Sequence, residues 1–327
     1  MRELRYNPLT GQWIIVSSVR KERRWRTEGY CPFCPGSEET GYGWNTLVLP
    51  NKYSALSFDA ENVNDEGIYI KSRALGECGV IIETPDHDIK DLDELSNEEL
   101  KEVISQWKMI TERYRSDKRI AYLMIFRNKG EEMGVSLFHP HGQYYAMPFI
   151  PLRIRNIVEN SRKYYKRFNA CIFCRIINQE MASGKRVIYE NDGFVLFMPF
   201  FSSWPYELHI YPKRHLQYLT QLNEKEVEGF ADILKVALKI LNTLFDRQMP
   251  YSFALIQAPL IGRHEEHFHM HLEIYPLLRD KDKIKYSAGI EMSTWDFTYD
   301  GVPEENARKM KDICRRVNSS FLGRCIG

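Results

Sequence analysis

The chain has 327 residues, 43% hydrophobic and 27% charged, with a formal net charge of +1. This composition is that of a globular protein, and the length suggests two domains. The near-neutral balance argues against a surface that wraps nucleic acid. With no basic start leading into an apolar run and no apolar stretch near bilayer length, a cytoplasmic protein without signal peptide or membrane span is expected.

Pro8 and Gly11 mark a turn, followed by a short buried strand at Trp13-Ile14-Ile15-Val16. A basic cluster, Arg20 to Arg24, precedes Cys31-Pro32-Phe33-Cys34. Strands are predicted at 47–50 and 79–84, with His87 in the loop beyond. Ser96 and Glu99 have capping-box spacing and open a helix whose stripe of Leu100, Val103, Ile104, Trp107 and Ile110 reads as core. A strand at 121–126 leads through Asn128-Lys129-Gly130 to His139-Pro140-His141-Gly142-Gln143. Residues 152–168 read as a connecting helix. The second half opens with Cys171-Ile172-Phe173-Cys174. It continues with strands at 186–190, 194–198 and 206–211, His215, a helix from Asn223 to about Asp246, and a strand at 251–257. An alternating stretch, His267 to Tyr275, follows, and a helix near 304–317 closes the chain.

The order repeats, which suggests duplication of one α+β unit. His87 to His139 and His215 to His267 are each 52 residues apart, and a shift of 128 lays His141 on His269. The expected architecture is two tandem repeats, residues 1–165 and 166–327, each a mainly antiparallel sheet with a long helix.

Seven cysteines, four of them in CxxC pairs, look unlike a secreted disulfide framework. Two thiolates three residues apart can grip one tetrahedral ion, and two imidazoles would close the shell. This predicts zinc held by Cys31, Cys34, His87 and His139, and a second zinc held by Cys171, Cys174, His215 and His267. Cys78 and Cys314 are expected to pack as apolar side chains, and Cys325 is a thiol without an assigned role.

Period-two alternation puts His139, His141 and Gln143 on one face of an extended segment. Pro140 places that segment at a sheet edge or bulge, and Gly142 lets an anion approach the backbone. A neutral imidazole can attack phosphorus and carry the group as a phosphoramidate, if its other nitrogen is held by an acceptor and donors surround the phosphoryl oxygens. Gln143 is such a donor. Arg20, Arg23, Asn128, Lys129 and Ser136 are further candidates.

The pentapeptide resembles the signature of the galactose-1-phosphate uridylyltransferases, a branch of the histidine-triad superfamily. The likeness extends through Asn7-Pro8-Leu9-Thr10-Gly11-Gln12-Trp13, Arg20 and Arg23, Asn51, Asn128-Lys129-Gly130, Gly134 and Ser136, Trp204-Pro205-Tyr206-Glu207, and Tyr275-Pro276-Leu277-Leu278-Arg279. Lys285 and Glu291, in Gly289-Ile290-Glu291-Met292, resemble the tail that holds the hexose phosphate in the partner subunit's site. The resemblance implies a ping-pong exchange of UMP between UDP-glucose and galactose 1-phosphate. His141 would be the nucleophile, Gln143 a donor to the intermediate, and Arg20, Arg23, Asn51, Asn128, Lys129, Gly134, Ser136, Lys285 and Glu291 would bind substrate in a homodimer with shared sites. Lys52 stands where the family usually has Asp; Gln257 and Glu273 replace histidines of its second metal site. One alternative is a related phosphorylase or adenylyltransferase acting on an ADP-sugar. Another is a zinc-stabilised nucleotide-binding module without catalysis.

Overall fold

The structure, a computed structural model, describes residues 1–22, 30–317 and 321–327. The first half comprises β1 (Arg2–Asn7), β2 (Gln12–Ser17), β3 (Leu47–Pro50), β4 (Lys71–Arg73), β5 (Glu77–Ile82), α1 (Asn97–Arg115), β6 (Tyr122–Lys129) and β7 (His141–Met147). Helices α2 (Leu152–Phe168) and α3 (Ile172–Ser183) follow. The second half comprises β8 (Val187–Glu190), β9 (Phe194–Phe197), β10 (Leu208–Pro212), α4 (Glu224–Thr243), β11 (Tyr251–Ile256) and β12 (His271–Pro276). It ends with β13 (Leu278–Asp280), β14 (Lys283–Ile284), α5 (Gly289–Thr294), α6 (Pro303–Val317) and β15 (Arg324–Cys325).

The two long helices start where their caps dictate. Ser96 accepts from the Glu99 amide while the Glu99 carboxylate accepts from the Ser96 amide; Asn223 and Glu226 repeat the pattern in α4. The predicted α1 stripe is buried throughout. Seven of these elements were not anticipated: β1, β4, α3, β13, β14, α5 and β15. β1 lies ahead of the Pro8–Gly11 turn and pairs with β2, whose Ile14 is exposed rather than buried. Helix α3 has Cys171 itself as its N-cap, so the CxxC motif hides the helix start.

The halves do not fold as separate bodies. Among the described residues, ten strands form one sheet in the order β15-β8-β9-β10-β12-β11-β6-β7-β5-β3, with every neighbouring pair antiparallel. Read from the β6–β11 junction outward, β6-β7-β5-β3 mirrors β11-β12-β10-β9, the duplication expressed as strand order. Helices α1 and α4 cover one face over Leu123, Ile125, Tyr144, Phe253, Leu255 and Leu272, a core shared by both halves. Leu4 of β1 and Ile154 and Val158 of α2 pack on the other face against Tyr122, Ala254 and Ile256.

β7 lies inside the sheet, between β5 and β6, not at an edge. Pro140 is tolerated because it stands just before the strand; its carbonyl accepts from the Glu83 amide at 3.1 Å. Gly142 also has a different reason from the one expected. Its missing Cβ would point to the face opposite His141, 3.2 Å from Glu83 Oε1, so it makes room for the chain's own buried Glu83 side chain rather than for a bound anion.

That carboxylate belongs to a buried ionic network beneath β7. Arg127 donates to Glu83 at 2.8 Å, Asp91 at 2.9 Å and the Tyr251 hydroxyl at 2.7 Å; Lys129 donates to Asp91 at 2.6 Å. Burial alone would raise the Asp91 carboxyl, but Arg127 and Lys129 outweigh it and bring it to about 2. Between the unfolded value near 3.8 and the folded value, the unfolded chain binds more protons, so stability falls as pH falls through this window. The contribution is about 2 kcal/mol. Asp91→Asn is expected to remove that dependence in denaturant titrations between pH 4 and 2. It should also cost about 3–5 kcal/mol at pH 7, because Arg127 is left buried with an incomplete set of partners.

Cys314 and Cys325, expected to be unpaired, are joined as a disulfide that fastens β15 to α6. Closing a loop of this size contributes about 2–3 kcal/mol. Among the described residues, no helix is long and apolar enough to cross a membrane.

Candidate active site

The first CxxC forms a tight turn, with the Cys34 amide donating to the Cys31 carbonyl. The loop after β5 brings His87, and the entry to β7 brings His139. Nδ1 of His139 lies 3.7 Å from each Sγ and 3.2 Å from Nδ1 of His87, which is 3.4 Å from Cys34 Sγ. Ligand atoms around a tetrahedral ion with Zn–S near 2.3 Å and Zn–N near 2.0 Å stand roughly 3.3–3.8 Å apart, so the four side chains suit one ion. The tautomer suits it as well. Nε2 of His139 donates to the Thr84 carbonyl at 2.8 Å, which leaves Nδ1 with its lone pair toward the cluster, and burial keeps the ring neutral by lowering its pKa. Burial also pushes the Cys31 thiol up to about 11, so a thiolate there needs a cation beside it.

The second cluster corrects the predicted ligand set. Cys171, Cys174, His215 and His269 come together, not His267. Cys174 Sγ is 3.2 Å from His215 Nδ1 and 3.5 Å from His269 Nδ1, and His215 Nε2 donates to the Glu265 carbonyl. Hydrogen bonding from Cys174, opposed by burial and reinforced by His215 and His269, draws the Cys171 thiol well below its ordinary range. His267 faces Ser161 at 3.0 Å and the Arg263 carbonyl. The connection from β11 to β12 is two residues longer than that from β6 to β7, as the register shows: Phe126 pairs with Gln143, and Ala254 with Glu273. His269 is therefore the counterpart of His139, His271 of His141, and Glu273 of Gln143.

His141 opens β7. Its Nδ1 donates to the His139 carbonyl at 2.8 Å, so Nε2 carries the lone pair. The cluster thus fixes His139, and the backbone of His139 fixes the His141 ring. Phe33, between the two cysteines, packs on His141 with ring centroids 5.2 Å apart. Sequence reasoning passed over Phe33, although its place inside CxxC is the signal that ties it to the site.

His141 stands between two cavities. One, of about 540 Å³, is lined by Phe33, Glu39, Asn51, Lys52, Ser136 and Gln143 among others. The second, of about 390 Å³, includes Asn128, Lys129, Phe138 and Arg247; Leu137 and His141 line both. Both volumes are in the ordinary range for small-molecule sites.

The other predicted residues divide. Asn51 and Ser136 join His141 and Gln143 in the larger cavity. Asn128 borders the smaller one, with its Oδ1 accepting from the Ser252 hydroxyl. Lys129 borders it too, but its ammonium is occupied by Asp91, Asn242 and Gln248. Arg20 donates to the Tyr145 hydroxyl at 2.6 Å, on the same β7 face as Gln143. Gly134 takes a left-handed conformation that ends a short turn and lines neither cavity. Lys285 and Glu291 pair with each other at 3.3 Å in the tail, also away from both. Arg23 lies outside the described residues.

His271, the counterpart of His141, is shut in. Its ring stacks on Tyr211 at 4.5 Å, and its nitrogens face the His269 carbonyl and Glu273, which is itself clasped by Arg153. Among the described residues, His141 borders two cavities, whereas His271 is buried.

Comparison with known proteins covers nearly the whole chain. Residues 1–151 match the N-terminal domain, and residues 157–319 the C-terminal domain, of galactose-1-phosphate uridyl transferase. The galactose-1-phosphate uridylyltransferase of Thermotoga maritima is 37% identical, covering 95% of this chain and 98% of that protein. That of Saccharomyces cerevisiae is 30% identical, covering 96% and 95%. A solved uridylyltransferase superposes with a TM-score of 0.91 at 38% identity, covering 97% of this chain and all of that one. An ADP-glucose phosphorylase from Arabidopsis thaliana, solved with ADP-glucose, gives 0.75 at 25% identity, covering 95% and 99%. With matches running from residue 1 to residue 319 and relatives covered nearly end to end, this chain belongs to the galactose-1-phosphate uridylyltransferase family.

Proposed function

We propose that the protein exchanges a uridylyl group between UDP-glucose and galactose 1-phosphate, with His141 as the carrier. The observation that carries this reading is the His141 ring, pinned through Nδ1 to the His139 carbonyl and standing between two cavities. Nε2 attacks the α-phosphorus, an N–P bond forms, and the P–O bond to glucose 1-phosphate breaks. Galactose 1-phosphate then attacks the same phosphorus, its phosphate oxygen displaces Nε2, and UDP-galactose leaves. Gln143 donates its amide to a non-bridging oxygen of the histidine adduct. Asn51 and Ser136 bind the nucleotide side, and Asn128 the phosphate side. Lys129 supports the second cavity from within its ion pair.

Both Cys/His clusters take zinc in this reading, the first through Cys31, Cys34, His87 and His139 and the second through Cys171, Cys174, His215 and His269. Four nitrogen and sulfur ligands close each shell, so the ion supplies rigidity and not a reaction centre. The protein works in the cytoplasm as a homodimer. The tail supports the second point: Tyr286, Met292 and Trp295 are each more than half exposed, a surface suited to another subunit, while Lys285 and Glu291 stay apart from the chain's own His141.

The test is intact mass after incubation with UDP-glucose alone. Gain of one uridylyl group, discharged on adding galactose 1-phosphate, is the expected result. An adduct from ADP-glucose and none from UDP-glucose would replace this reading with an adenylyl carrier.

A further inference from the structure

The larger cavity holds an odd feature for a site that takes a polyanion: acidic side chains line its wall. Glu38 and Glu39 are its carboxylates among the described residues, and Lys52 stands across from Glu39 with Nζ 3.6 Å from Oε1. A carboxylate repels a diphosphate, so it belongs opposite a part of the ligand that donates. A nucleoside diphosphate offers such a part in its ribose, whose two adjacent hydroxyls match the two oxygens of an acceptor-only group.

The loop that carries Glu39 is rigid, because it is knitted onto the first CxxC. The Ser37 hydroxyl donates to the Pro32 carbonyl at 2.6 Å, the Thr40 hydroxyl to the Cys34 carbonyl at 2.6 Å, and the Gly36 amide to the Gly41 carbonyl at 2.6 Å. Beside it, Asn51 accepts from the Tyr53 amide and fixes the turn that presents Lys52. Glu39 is thus tied to the same Cys/His cluster that positions His141, and both residues line the one cavity. Its ion pair with Lys52 is solvent-exposed and weak in itself. Lys52 at 3.6 Å offsets the charge without a tight hydrogen bond, which leaves the carboxylate open to a diol.

We infer that Glu39 is the specificity-determining acceptor for the ribose 2′- and 3′-hydroxyls of the uridylyl donor, with Lys52 as its positioning residue. This rests on the uridylyl-transfer reading and deepens it. It gives the cavity two recognition points, phosphate at His141 and sugar at Glu39, both among the residues that line it.

The test compares UDP-glucose with its 2′-deoxyribose analogue in wild type, Glu39→Ala, Glu39→Gln and Lys52→Ala. Wild type is expected to prefer the ribonucleotide by about 10–100-fold in kcat/KM, the loss that accompanies one charge-assisted hydrogen bond. Glu39→Ala should raise KM for UDP-glucose by about the same factor, hold kcat within about threefold, and bring the preference to within about twofold. Glu39→Gln should fall between, and Lys52→Ala should weaken the preference while keeping its direction. The assignment is overturned if Glu39→Ala, with metal content and melting temperature of the wild type, keeps the full ribose preference. It is equally overturned if its defect lies in kcat for both donors alike, or if base preference is lost while ribose preference stays, since the carboxylate would then face the uracil. Wild type that takes no uridylyl group from UDP-glucose would strike the parent reading instead, so the two failures are told apart.

Discussion

His141→Asn is expected to fold normally and to carry no uridylyl group. The asparagine amide can still donate to the His139 carbonyl, so the local backbone keeps its acceptor filled. What disappears is the nitrogen lone pair, and removal of a nucleophile costs about 10⁴-fold or more in turnover. Intact-mass measurement after UDP-glucose should show unmodified protein, and coupled assays should show exchange at background. Gln143→Ala gives the contrast. It removes a donor and not the carrier, so the adduct should still form, with turnover lowered about 10²–10³-fold. His271→Asn gives a second contrast: it disturbs a buried stack and a carboxylate partner, so it should lower stability while leaving the adduct in place. A uridylylated His141→Asn protein would move the chemistry to another residue.

Loss of the first metal cluster is expected to damage both stability and activity. Cys34→Ser removes a thiol that stands 3.4 Å from His87 and 3.7 Å from His139. Folding free energy stored in a structural metal site is then lost, about 3–5 kcal/mol, which lowers the melting temperature by roughly 5–15 °C. Activity should fall further than stability explains, because His139 loses its anchor and the carbonyl that orients His141 drifts with it. Metal analysis adds a sharper contrast. Wild type should bind two zinc ions per chain, and Cys34→Ser and His269→Ala one each. His267→Ala should keep both, since His267 faces Ser161 and the Arg263 carbonyl and not the thiols. Equal loss from His267→Ala and His269→Ala would reinstate the ligand set predicted from spacing.

Much of the site was legible because its chemistry is local in sequence. His139, His141 and Gln143 follow from a two-residue period, and each CxxC pair from one turn. The cap of α1 was legible for the same reason. What failed depends on partners far along the chain. The matching 52-residue intervals pointed to His267, but a two-residue lengthening between β11 and β12 hands the ligand position to His269, and only the strand register shows it. Lys129 looked like a phosphate donor beside the motif, yet Asp91, from a distant loop, holds it. Gly142 looked like an approach for an anion, while the group it makes room for, Glu83, sits on the neighbouring strand's continuation. The pairing of Cys314 with Cys325 needed the fold of α6 against the last strand.

The ladder between β6 and β11 has a consequence for how the duplicated chain holds together. The covalent link between the halves, through α2, crosses the sheet's face, while the halves meet in register along Leu255–Ile125 to Tyr251–Lys129. A protease nick in the linker would therefore sever the polypeptide without separating the protein. Conversely, either half made alone would bare the unpaired edge of β6 or β11, a template that invites a second identical copy. The duplication thus works as a permanent internal dimer, in which each half serves as the other's edge protection. Only one half needs to keep its cavity open for chemistry, and that leaves the other free to bury its histidine.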